Sequence, residues 1–112
     1  MLARQNRLLS ADDFRVALRR GRRVVVGSVV VSVLTTSSGA PARFGFIVTK
    51  KVGNAVIRNT VRRRMRAVAR ELVDGGLDGV DVVVRAAPES ADAAWRELRT
   101  DLRAGLNGGA DE

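Results

Sequence analysis

Residues 43–86 read RFGFIVTKKVGNAVIRNTVRRRMRAVARELVDGGLDGVDVVVRA, and three patterns follow one another within them. RFGFIVTK alternates, placing Phe44, Phe46 and Val48 on one face of an expected strand and Gly45, Ile47 and Thr49 on the other. Gly53 and Asn54 break that strand, and Asn54 is a residue type that caps a following helix. With Val56 as origin and about 100° per residue, Ile57, Val61, Met65, Val68 and Leu72 fall between about 100° and 180°. That narrow apolar stripe predicts a helix over about 55–73 docked on a core. GGLDG ends the helix, and the valine-rich VDVVVRA predicts another strand.

The flanks extend this strand-helix-strand unit. Ser10 with Asp13 three residues on is a capping-box variant, Leu9 is placed to staple onto Phe14, and Gly21 suits a left-handed helix end, so a short helix is expected over 11–20. RRVVVGSVVVSVLTT reads as one strand or two short ones, with a bulge or bend at Gly27 and Ser28. SSGAPA is a turn. Pro88 and Ser90 are expected to open a last helix carrying Ala91, Trp95, Leu98, Leu102 and Leu106 at helical spacing. The expectation is one domain over 1–112, ordered over about 4–106 with 107–112 frayed: an α+β fold of order α-β-β-β-α-β-α, a two-layer sandwich with helices packed on a central sheet.

Composition narrows what such a domain can do. The chain has neither Cys nor His, which removes thiol nucleophiles, disulfides, imidazole bases and nearly every zinc site. No apolar run reaches the roughly 20 residues of a membrane span and the N-terminus lacks a secretory signal, so a cytoplasmic protein is expected. The net charge of +8 is unevenly placed: residues 1–40 carry +5, residues 41–70 carry +9 with no carboxylate, and residues 71–112 carry −6. A block of one sign is a field aimed at a polyanion.

On the expected second helix, Arg58, Asn59, Arg62, Arg63, Arg66 and Arg70 fall between about 200° and 340°, one continuous face beside the apolar stripe. Arg58, Arg62, Arg66 and Arg70 repeat at i,i+4, a spacing at which like charges repel by a few tenths of a kcal/mol per pair. Solvated faces usually alternate signs; this one reads as an anion-binding face. Eighteen Arg against two Lys favour phosphate gripped by planar forks and bases stacked on them, hence nucleic acid over a bilayer. No helix-turn-helix spacing is present, which favours RNA over DNA. Phe14, by residue type alone, reads first as a core anchor and second as a stacking surface beside Arg15 and Arg19. Asp74, Asp78 and Asp81 sit near the loop after the expected second helix, and their spacing fits no clear metal-ligand pattern.

KKVGNAVIRNTVRRRMR resembles the signature of the bacterial ribonuclease P protein component, K-K-x-G-x-A-V-x-R-N-R-x-K-R-x-x-R, and NRL, DF, RFGFIVTKK and DVVVRA stand around it in the family's order, over about residues 4–106. The resemblance implies a left-handed β-α-β crossover, an exception to the usual hand. It implies the small subunit of a ribonucleoprotein that removes the 5′ leader of precursor tRNA, monomeric in the holoenzyme, with hydrolysis carried out by the RNA subunit and its bound Mg2+. Carried onto this chain, Arg58, Asn59, Arg62, Arg63 and Arg66 lie along the catalytic RNA, with Lys50, Lys51 and Asn54 at the helix entry; Arg7, Phe14 and Arg19 lie near the leader. No catalytic residue is implied, and no metal site of the protein's own. Thr60 stands where the family has a cation, Leu18 and Ser32 where it often has aromatics, so weaker base preference for the leader is expected. The rival readings at this level are a structural RNA-binding protein of the ribosome and a stand-alone carboxylate-metal nuclease.

Overall fold

A computed structural model describes residues 2–91 and 95–110. The elements are α1 (Ala11–Arg20), β1 (Arg22–Val26), β2 (Val29–Thr35), β3 (Arg43–Ile47), α2 (Ala55–Asp74), β4 (Val80–Ala86) and α3 (Trp95–Ala110), the order expected, with short 3-10 turns at Arg4–Asn6 and Pro88–Ala91. The four strands form one sheet of order β1-β2-β4-β3. β2 runs antiparallel to both β1 and β4, and β3 pairs parallel with β4, as expected of a strand-helix-strand unit through α2.

The valine run is a hairpin. Val26 pairs with Val29 across a two-residue turn, and Gly27 occupies its first central position at φ 52°, which a side chain would strain. Asp101 of α3 accepts hydrogen bonds from the Ser28 N–H (3.1 Å) and hydroxyl (3.2 Å), clasping the hairpin tip.

Alternation along the strands then builds two cores. Val29, Val31 and Val33 of β2, Val82 and Val84 of β4, and Phe44 of β3 face α2 and α3, where Val61, Met65, Val68, Leu98, Leu102 and Leu106 complete the main cluster. Side chains buried this fully stabilise by roughly 2 kcal/mol each. Val83, Ile47 and Leu34 point the other way, onto Leu8, Phe14 and Ala17. The helical layer of the sandwich is therefore α2 and α3, and α1 covers part of the opposite face.

The caps at Ser10 (from Asp13 N–H, 3.0 Å) and Asn54 (from Ile57 N–H, 3.0 Å) form as expected. Three local expectations change. Gly21 ends α1 in an extended conformation, φ −76°, its N–H still bonded to the Ala17 carbonyl. Pro88–Ala91 is a separate 3-10 turn rather than the start of α3, because the Ser90 hydroxyl donates to the Ala87 carbonyl (2.6 Å) and closes the turn on itself. α3 also continues through the expected frayed stretch to Ala110, while 111–112 lie outside the described residues. Once Leu102 and Leu106 dock the helix, each further turn adds hydrogen bonds without a new nucleation cost.

Candidate nucleic-acid interface

α2 docks through Val61, Met65, Val68 and Ala69, all buried. Its arginines flank that stripe: Arg63, Arg66 and Arg70 are exposed, Arg58 and Arg62 half-buried. Arg70 has its charge answered on the same helix, its Nε standing 3.7 Å from Asp74, and a pair that exposed contributes little. Arg62 donates to Asn59 Oδ1 (3.3 Å) and to the Val48 carbonyl (3.4 Å), so its fork is held against the end of β3. The Arg58 Nε is buried without a hydrogen-bond partner among the described residues. Lys50 and Lys51 are exposed on the turn before α2, pushed outward because Val52 plugs the core. Thr60 is spent locally, its hydroxyl donating to the Val56 carbonyl (3.0 Å), so the missing cation is not replaced there by an outward donor.

Arg62 and Arg66 also line a cleft of about 250 Å3 at the edge of the sheet, shared with Arg7, Phe14, Gly45 and Phe46. The arginine face and Phe14, separate on the sequence, thus meet at β3. Phe14 owes its place to Gly45: any Cβ there would overlap Cε2 and Cζ of the ring, so the ring lies directly on the β3 backbone. Phe14 anchors α1 to the sheet on one side and forms an aromatic wall of the cleft on the other. Arg7 is at the cleft but its guanidinium is turned inward, giving the Leu2 carbonyl hydrogen bonds of 2.9 and 2.7 Å. Arg19 is not brought to this cleft; it stands on the outer side of α1 beside Asp12, Arg15, Val16 and Arg20.

A second groove, about 170 Å3, lies on the α1 face of the sheet and gathers Leu18, Arg23, Val30, Ser32, Val83 and Arg85. Leu18 and Ser32, the two positions lacking aromatics, therefore share one site, and Leu18 is exposed rather than packed with Ala17. Its floor is a patch of cross-strand neighbours, Arg23 beside Ser32, Ser32 beside Val83, and Val30 beside Arg85. Arg23 and Arg85 were not singled out in the sequence. The signal for Arg85 was available: it alternates with the core-facing Val84 and Ala86, so it had to face α1.

The carboxylates are engaged in structure. Asp81 is buried and bidentate to Arg43, whose Nε and Nη2 donate at 2.9 and 2.7 Å, and Asp13 takes a third bond at 3.3 Å. The hydrogen bonds to Asp81 raise the Arg43 pKa above its already high ordinary value. Asp78 accepts from the Gly39 N–H (3.1 Å). Among the described residues no three acidic side chains converge as a metal cluster, so these residues do not fit a metal centre.

Known proteins resemble this chain along nearly its whole length. The family model described as Ribonuclease P matches residues 2–108. The ribonuclease P protein component of Clavibacter michiganensis subsp. michiganensis is 48% identical over 102 residues, covering 91% of this chain and 90% of that one. That of Pseudarthrobacter chlorophenolicus is 48% identical over 107 residues, covering 95% and 78%. Among solved structures, the Staphylococcus aureus RNase P protein superposes with TM-score 0.82 at 25% identity, covering 94% of this chain and 95% of that one.

Proposed function

The chain belongs to the ribonuclease P protein family, and we propose that it holds the family's RNA subunit on the α2 arginine face and the 5′ leader of precursor tRNA in the groove under α1. The observation that carries this reading is a continuous cationic helix face with no carboxylate on residues 41–70, open beside the stripe that docks it. Arg58, Asn59, Arg62, Arg63 and Arg66, with Lys50, Lys51 and Asn54 at the helix entry, meet the phosphates of the RNA subunit. Phosphate contacts of this kind fix register and supply affinity, and they make assembly salt-dependent.

The leader runs along the α1 face, across Leu18 and Ser32 between Arg23 and Arg85, and ends against the α1 side of Phe14 near Arg7. Arg19, on the outer side of α1, meets the leader's backbone from above the groove. With valines and a serine between two arginines in place of stacking rings, this groove grips phosphates and shape more than bases. The protein positions substrate; the hydrolysis and its Mg2+ belong to the RNA subunit, and the chain acts as one copy per particle in the cytoplasm. No helix of the described residues is long and apolar enough to cross a membrane.

The test is cleavage of precursor tRNA by protein alone, by RNA subunit alone, and by both together at limiting Mg2+. Enhanced leader removal by the pair, with none by protein alone, is the expected result. A protein that binds RNA but leaves cleavage unchanged is the result expected of a ribosomal-type RNA-binding protein, and it would overturn the proposal.

A further inference from the structure

β3 is an edge strand, and its outward-facing main chain is covered at two of three successive positions. In a strand the N–H and C=O of one residue point the same way and alternate by residue. The Phe44 carbonyl faces outward, since it accepts from the Leu8 N–H (2.9 Å) in an isolated bridge between Arg7 and Phe44. The Val48 carbonyl, four residues on, accepts from Arg62. Phe46 lies between them with the same parity, so its N–H and C=O face outward too, and among the described residues none bonds to either. After Leu8 the chain leaves the edge through exposed Leu9 and enters α1 at Ala11. What remains in front of Phe46 is the cleft of about 250 Å3, walled by the Phe14 and Phe46 rings and rimmed by Arg62 and Arg66.

A donor and an acceptor side by side, two aromatic walls and two guanidinium groups are complementary to an unstacked nucleobase with its phosphate. We propose that this cleft takes one extruded nucleotide of the RNA subunit, its base edge bonded to the Phe46 main chain and its phosphate held by Arg62 and Arg66. The RNA subunit is preferred over the leader because Phe46, Arg62 and Arg66 all belong to the α2 side of the sheet, where Phe46 stacks on Phe44 at 6.2 Å. An extended peptide added to the β3 edge would use the same main-chain pair but leave the arginines unanswered. The inference rests on the reading that α2 binds the RNA subunit.

The experiment is ultraviolet cross-linking of the wild-type protein assembled with the RNA subunit transcript, without precursor tRNA, followed by mass spectrometry of the peptides. The expected result is a peptide containing residues 44–50 joined to one unpaired nucleotide. Phe46→Leu, checked for folding by circular dichroism, should weaken RNA-subunit binding about 5- to 150-fold, the range for losing one stacked base. Assembly without that cross-link, or a cross-link to this peptide that forms only when leader is supplied, would overturn the pocket while leaving the α2 reading intact. Failure of the wild-type protein to bind the RNA subunit would overturn both.

Discussion

Arg43→Met removes both guanidinium bonds from Asp81, a carboxylate whose side chain is only 8% exposed. Breaking a buried ion pair from one side costs about 3–5 kcal/mol because the remaining charge loses its partner. Here the lower end applies, about 3 kcal/mol, since Arg43 is itself 36% exposed and water can reach the orphaned carboxylate once the guanidinium has gone. For a domain of this size that lowers the melting temperature by about 10 °C. The Asp13 arm is different: its side chain is 38% exposed and the contact is 3.3 Å, so Asp13→Asn should cost no more than about 0.5 kcal/mol. Urea unfolding followed by circular dichroism measures both, and adding Asp81→Asn to Arg43→Met should recover part of the loss. The sign of the pH dependence is fixed as well. A pKa raised in the folded state gives stability that is complete below the ordinary guanidinium value and lost only as pH rises beyond it, so the Arg43 contribution should be flat across neutral pH. A loss below about 1 kcal/mol for Arg43→Met, or an equal loss for Asp13→Asn, would refute the assignment of Asp81 as the buried partner.

Further expectations concern the two proposed RNA surfaces and the hairpin. Arg62→Ala combined with Arg66→Ala should reduce the slope of log affinity against log salt for the RNA subunit by about 1.4–1.8, and an unchanged slope would mean these arginines meet only water. Thr60→Arg should steepen that slope by about 0.7–0.9 if the RNA crosses this flank of α2. Leu18→Phe with Ser32→Tyr should make cleavage discriminate among leader sequences more strongly than the natural groove does, read from competing leaders in one reaction. Gly27→Ala puts a side chain at φ 52° and into the Asp101 carboxylate, so it should destabilise by about 2 kcal/mol or more in thermal melts.

Local chemistry was legible from the sequence and spatial assembly was not. Ser10 and Asn54 capped the helices where their side chains required, and the 100° arithmetic separated Val61, Met65 and Val68 from the arginines because a docked helix must bury one stripe. The same alternation that put Phe44 in the core put Gly45 under Phe14. The hairpin at Gly27 was ambiguous because valines continue on both sides of the turn, so composition alone does not say where the strand reverses. The order β1-β2-β4-β3 depends on contacts between distant residues, such as Val31 with Val84, that no local pattern encodes. Arg19 shows where local pattern stops: it shares a helix with Phe14, but five residues of helix turn set it on the outer side, beside Arg15 and Arg20, rather than at the Phe14 cleft.

That sheet order has a functional consequence. Because β3 is an edge strand and its side chains alternate, one backbone carries Phe44 and Phe46 toward α2 and Gly45 and Ile47 toward α1. On the proposed function, an RNA phosphate on Arg62 and a leader on the α1 face would lie on opposite sides of this one strand. The Phe14 ring rests on Gly45 with no Cβ between them, and it shares the cleft with Arg62 and Arg66. A shift of α1 on its groove must therefore move a wall of the cleft on the arginine side. If the RNA subunit and the leader bind on the two faces of this edge as proposed, they share the Phe14 ring resting on Gly45, so Thr60→Arg and the Leu18→Phe, Ser32→Tyr pair are best tested together rather than as independent changes.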